Sequence, residues 1–493
     1  MLTLCLSGCN SFLEELPTKD GNIPRTASEL LTFYNSFLRS NNCNYRTFIS
    51  DDATIPFTQE DAKQNVGTYQ KRFFEFRSAF FLREFRRDNT NGGAKLWFTA
   101  YRGINEQNYI LSIVDKPSVE GTVEEKELVK AYAKFYRALE YFDLVTSFGL
   151  PYAPGKNDNA LGVVLEEKYS LEMIAKNLKR SSLKETYEYI EKELRESIEL
   201  IPDGTENWKI TRKAAYAFAA RFYLMLGNYS EAKKYAELAL KRNSSLVDYT
   251  KLTTRTIQIN NGPLPVLSYF YDMTTTDAAT IKNNPEIYSV EILDVTSKPC
   301  FPTQDLINLY VNDGNNNDVR LKNMPPEAGV RCSKYFSNRS KAMYRYCVGL
   351  TDGFVLSGPD VPEMMLIMAE CCAEANELAQ AKQWLNRLRE KRIINYDASS
   401  VNSLNDKNLV LHFIYDERRR ERPFVLRSLD IRRLNAIKNE NITITKNFFE
   451  MTSTQLFPDQ PKVYQLKPGD NAYADYLYDA DVSLSEGHLE QNP

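Results

Sequence analysis

The chain has 493 residues, is 43% hydrophobic and 26% charged, and carries a net charge of −3. A chain this long can bury roughly three quarters of its unfolded surface, and its near-neutral charge excludes the global basic field that favours nucleic acid. His412 and His488 are its two histidines, too few for histidine metal sites or histidine-based triads, and no apolar run of about 18 residues marks a membrane-crossing helix.

The first residues read as the end of a bacterial lipoprotein signal. An apolar stretch leads to Leu6-Ser7-Gly8 and then Cys9. Small residues before the cysteine suit the cleft of a signal peptidase, and the Cys9 thiol is the expected site of lipidation. Only eight residues precede Cys9 and none is Lys or Arg, so the basic start of a full signal is expected upstream. With Cys5 and Cys9 set aside, no C-x-x-C pair exists among the remaining cysteines, which argues against zinc and thioredoxin-like redox sites. Cys371 and Cys372 read as small buried hydrophobes, and a Cys332–Cys347 disulfide stays open.

A polar tether, Asn10–Thr18, leads to a helix that starts at Thr26 or Ser28 with Glu29 in a capping-box position. Residues 41–95 are irregular, polar and aromatic. Trp97, Tyr101, Ile104, Asn108 and Leu111, spaced by three and four, predict a helix over about 94–114. A second runs over about 124–148, with Phe135, Ala138, Phe142 and Val145 inward and Gly149 and Pro151 as the stop. After a long loop over 150–180, helices return at about 183–200.

The stretch Thr211–Lys241 reads as two antiparallel helices joined at Leu226-Gly227-Asn228. Tyr216, Ala219, Ala220 and Tyr223 form one apolar stripe, and Ala232, Ala236 and Ala239 form a seam that lets a neighbouring backbone approach closely. Gly227 supplies the left-handed residue that ends the first helix. From about 243 to 361 the helical period fades into a Pro- and Asn-rich, loop-rich subregion. It resumes over 362–392, where aligning Ala381 with Ala232 puts Ala369 on Ala220 and Asn376 on Gly227, a degenerate copy of the first hairpin. A further helix covers about 407–422, and the last sixty residues read as aromatic loop.

The Gly227–Ala239 pattern resembles a tetratricopeptide repeat, a unit that cannot bury its apolar face alone. Together, the features resemble the SusD/RagB family of outer-membrane lipoproteins of Bacteroidetes. The resemblance rests on Cys9-Asn10-Ser11-Phe12-Leu13, on Trp97, Tyr101, Ile104 and Asn105, on the run Arg137 to Gly149, on the hairpin, on Glu417–Arg433, and on the closing Gln491-Asn492-Pro493. It implies a mostly α fold: tetratricopeptide-like hairpins stacked as a frame (about 94–148, 183–241 and 362–422) with long irregular loops and a few short strands. Residues 10–493 would form one such domain after the signal remnant 1–9. It also implies a surface lipoprotein, lipid-anchored in the outer membrane, that holds an oligosaccharide for a TonB-dependent SusC-like porin and performs no chemistry. The alternatives are a tetratricopeptide-type interaction scaffold and a binder of peptides.

The residues themselves add site expectations. Asp416–Arg422 is the most charged window, but its acids and bases alternate, which favours i,i+4 ion pairs and buried forks with Asp430 over nucleic-acid binding. Glu417, Arg418, Glu421, Arg427 and Asp430 are expected to form a structural ion-pair network. Sugar rings stack on aromatic faces, and loops display these more readily than packed helices do. The expected ligand contacts are therefore Tyr69, Phe74, Arg77, Tyr269, Phe270 and Tyr271, in aromatic clusters outside helical periodicity. No catalytic pair of carboxylates, phosphate-cradling Gly-rich loop, metal site or cofactor is expected.

Overall fold

The computed structural model describes residues 24–35, 39–41, 49–54, 92–169, 178–251, 254–259, 262–267, 284–289, 291–294, 301–311, 317–323, 345–347, 354–356, 358–422, 426–448 and 462–493. Among them the chain is mostly helical. The frame consists of α1 (Ala27–Asn35), α2 (Gly92–Ile113), α3 (Val123–Phe148), α4 (Leu183–Ser197), α5 (Arg212–Met225) and α6 (Tyr229–Arg242). It continues through α7 (Gln304–Val311), α8 (Val361–Glu374), α9 (Leu378–Arg389), α10 (Lys407–Glu421), α11 (Arg427–Arg433) and α12 (Asp479–Leu484).

Six of the helices begin where a side chain satisfies orphan N–H groups of the first turn. Thr122 with Glu125 and Ser182 with Glu185 form reciprocal capping boxes at α3 and α4. The Thr26 hydroxyl accepts from the Glu29 amide and the Glu29 carboxylate accepts from the Thr26 amide, which makes Thr26 the cap of α1. Asn228, Asp360 and Asp406 cap α6, α8 and α10. Each such cap is worth about 1 kcal/mol.

The hairpins stack in chain order: α2 on α3, α3 on α4, α5 on α6, α6 on α8, and α8 on α9 and α10. The seam explains why they approach so closely. Ala220, Ala232, Ala236, Ala239, Ala369 and Ala381 are all fully buried. Gly227 and Asn376 both take left-handed backbone, with φ of 69° and 63°, so the second hairpin repeats the turn of the first. Lys233 of α6 reaches the next hairpin and pairs with Glu377 at 2.5 Å.

Three stretches read as loop carry short strands. Residues 150–180 contain β3 (Leu161–Val164), paired antiparallel with β4 (Arg180–Ser182). The last sixty residues hold a π-helical turn at Leu434–Lys438, a hairpin of β12 (Ile444–Phe448) and β13 (Lys462–Leu466), and α12. In the loop-rich subregion, β7 (Glu291–Asp294) pairs parallel with β1 (Arg39–Asn41) and antiparallel with β11 (Phe354–Leu356). Strands this short leave almost no period-two signal, and β1 and β7 come from opposite halves of the sequence.

Candidate functional site

The buried arginines and carboxylates of the described residues form an array around α10. Glu417 is fully buried and accepts from Arg320 at 2.8 Å, Arg389 at 2.5 Å and Arg420 at 2.8 Å. One turn on, Glu421 accepts from Arg320 at 2.8 Å and Arg392 at 2.9 Å. Arg392, also fully buried, uses its other nitrogens on Glu286 at 2.8 Å and the Val247 carbonyl at 2.8 Å. Arg320 closes the array on Asp318.

The neighbouring arginines reach further. Arg419 donates to Asp52 at 2.8 Å, and Arg427 makes a two-toothed fork on Asp51 at 2.7 and 2.6 Å. Asp51 and Asp52 are the last anchored carboxylates before segment 55–91. Glu286 plays the same part after segment 268–283, assisted by Asn284, whose side chain accepts from the Glu286 amide. Asp52 is therefore fastened to α10 directly, Asp51 to Arg427 of α11, and Glu286 to α10 only through Arg392 and Glu421. Thr303 reinforces the first, because its amide donates to the Asp52 carbonyl at 2.8 Å.

Charge is balanced throughout. Arg418, Arg419, Arg422 and Arg427 line a cleft with Glu363 and Asp430, yet each faces its own acid: Asp430, Asp52, Asp360 and Asp51. Such a cleft offers no net attraction for an anion. Burial opposes ionisation of Glu417, but Arg320, Arg389 and Arg420 outweigh it and hold the carboxyl well below its usual range. Asp430 is also buried, and Arg418 and Arg433 bring it down to about 2. Asp360 goes the other way, because burial exceeds the pull of Arg422 and lifts it to about 6.

Two family models match the chain. One, described as starch-binding and associating with the outer membrane, matches residues 49–224, and the SusD family model matches 361–483. The chain belongs to the SusD family. Solved structures agree on the fold of this SusD-family chain. A SusD superfamily protein of Bacteroides fragilis is 17% identical with a TM-score of 0.64, covering 94% of this chain and 99% of its own. A SusD-like carbohydrate-binding protein of Bacteroides vulgatus is 18% identical with a TM-score of 0.56, covering 94% and 96%. A laminarin-binding SusD-like protein is 14% identical with a TM-score of 0.54, covering 95% and 97%. No curated protein matches.

The network residues named from the sequence have these partners. Arg418 and Arg433 share Asp430, at 3.1 and 2.8 Å. Glu417 and Glu421 pair with arginines from elsewhere in the chain; in place of the i,i+4 pairs expected inside α10, the helix carries the i,i+3 pairs of Glu417 with Arg420 and of Asp416 with Arg419. Arg427 pairs with Asp51 rather than Asp430. Asp51 is half-buried and Asp52 fully buried, each as an ion-pair partner. Cys9, Tyr69, Phe74, Arg77, Tyr269, Phe270 and Tyr271 lie outside the described residues, as does Cys332. Among the described residues no cluster of His, Cys, Asp and Glu could hold a metal ion.

Proposed function

We propose that this SusD-family chain is a cell-surface nutrient-binding lipoprotein that captures an oligosaccharide for a TonB-dependent, SusC-like porin and does no chemistry of its own. Family membership carries the reading. The likeness to a protein described as laminarin-binding supports the ligand class. Cys9 takes the acyl chains and holds the protein on the outer face of the outer membrane. Two chains give stable anchoring where one is marginal. No described helix is long and apolar enough to cross a membrane.

Residues 10–493 act as one SusD-like unit, with ligand contacts from Tyr69, Phe74 and Arg77 in one irregular segment and Tyr269, Phe270 and Tyr271 in another. Aromatic faces take sugar rings, and Arg77 takes hydroxyls.

Two measurements test the proposal. Palmitate labelling of whole cells should label the wild type and fail for Cys9→Ala. Titration calorimetry against neutral and acidic oligosaccharides and peptides should show saturable binding of a glycan. A protein that binds only peptides, or only other proteins, would overturn the ligand class.

A further inference from the structure

Phe98 sits near the start of α2 and is 56% exposed, although the Trp97 beside it is buried against Tyr101 and Phe148. A scattered exposed aromatic needs no explanation. This one has a supported geometry. Its ring meets Tyr478 edge to face with centroids 5.0 Å apart, and Tyr478 is the residue at which α12 begins. Three residues on, the Asp481 carboxylate accepts from the Trp97 indole at 2.8 Å. That bond holds one oxygen of a half-buried carboxylate in place and orients the group at the same corner.

We propose that Phe98, braced by Tyr478 and with Asp481 three residues on from that brace, is a stacking subsite for a neutral pyranose ring. The inference rests on the glycan-binding reading above and narrows it. One face of a pyranose is a patch of C–H groups about the size of a single aromatic ring, and its rim is hydroxyl donors. An exposed phenyl ring on a rigid helix suits the face, and the Asp481 carboxylate accepts from the rim. The same carboxylate repels uronic or sulfated sugars. A protein partner fits worse. A stable contact buries about 800 Å² on each side, and the further large exposed apolar residue on α12 is Leu484 alone.

The test is calorimetry of the full chain with maltoheptaose, laminarihexaose, mannohexaose, xylohexaose and polygalacturonate. Wild type, Phe98→Ala, Phe98→Trp and Asp481→Asn are compared, with thermal melts as the folding control. Phe98 is largely exposed, so its melting temperature should stay within a degree or two. The expected result is binding of at least one neutral oligosaccharide, weakened about tenfold or more in Phe98→Ala and retained in Phe98→Trp. Asp481→Asn should weaken it less. Unchanged affinity in Phe98→Ala overturns the subsite and leaves the glycan-binding reading standing. Binding of polygalacturonate alone overturns the neutral-sugar assignment. If the wild type binds no glycan, the broader reading fails and the subsite with it. Loss of porin co-purification in Phe98→Ala, with glycan affinity unchanged, assigns the ring to a protein contact instead.

Discussion

The hairpin pair α5–α6 and the charged helix α10 are both buried and both essential to the architecture, but they are held by opposite means. The hairpin is fixed by neighbours: an alanine seam, an Asn228 cap and a left-handed Gly227, all within about one repeat length. Around α10 the partners are distant. Arg419 and Asp52 stand 367 positions apart, and Arg427 and Asp51 stand 376 apart. Local packing builds the frame, and long-range ion pairs fasten Asp51, Asp52, Glu286 and Arg320 to it.

That division predicts where the molecule breaks. Glu417→Ala should have the largest effect, because it strips three buried arginines of a shared partner. Removing one side of a buried pair costs about 3–5 kcal/mol, to be read as a drop in denaturation midpoint. Glu417→Gln keeps the shape and should recover part of the loss. Asp430→Ala and Arg427→Ala come next. Both should lower the melting temperature more than they lower ligand affinity, and the reverse outcome would remove these residues from the structural network. In the frame, Ala220→Leu overfills the seam and should cost about 1–3 kcal/mol. Gly227→Ala should cost about 1 kcal/mol through its positive φ, with a Cβ contact to Ile437 at 3.2 Å adding to it.

Acid distinguishes the two regions as well. The folded pKa of Asp430 is depressed to about 2, so its contribution is complete above the ordinary carboxylate range and is lost as pH falls from about 4 towards 2. The shift corresponds to about 2 kcal/mol. Glu417 and Glu421 act in the same direction. Asp360 opposes them: its raised pKa means the folded state takes up a proton first, so its share of stability grows as pH falls from about 6. Chemical denaturation at stepped pH should therefore show little change down to about pH 4.5 and a steep loss below. Asp430→Asn should flatten the lower limb.

The same contrast explains what the sequence made legible. Helix positions, caps and the matched turns at Gly227 and Asn376 follow from short-range spacing, and all could be read directly. The charged window announced itself by composition, but nothing in it names Arg320, Arg389, Arg392, Glu286 or Asp51 as partners, because ion-pair choice across hundreds of residues has no periodicity. For the same reason β7 could not be matched with β1 in advance. Phe98 was hidden differently. It sits beside Trp97 on a helix whose apolar stripe was read correctly, and only its exposure distinguishes it from core.

Hydrogen exchange on Glu417→Gln tests the central claim most directly. The account predicts that protection falls together in residues 317–320 and 389–392, because Arg320 and Arg389 both lose Glu417 as a partner while standing far apart in sequence. Protection in α5 and α6 should stay near wild type. A uniform loss across the chain, or a loss confined to α10, would contradict it.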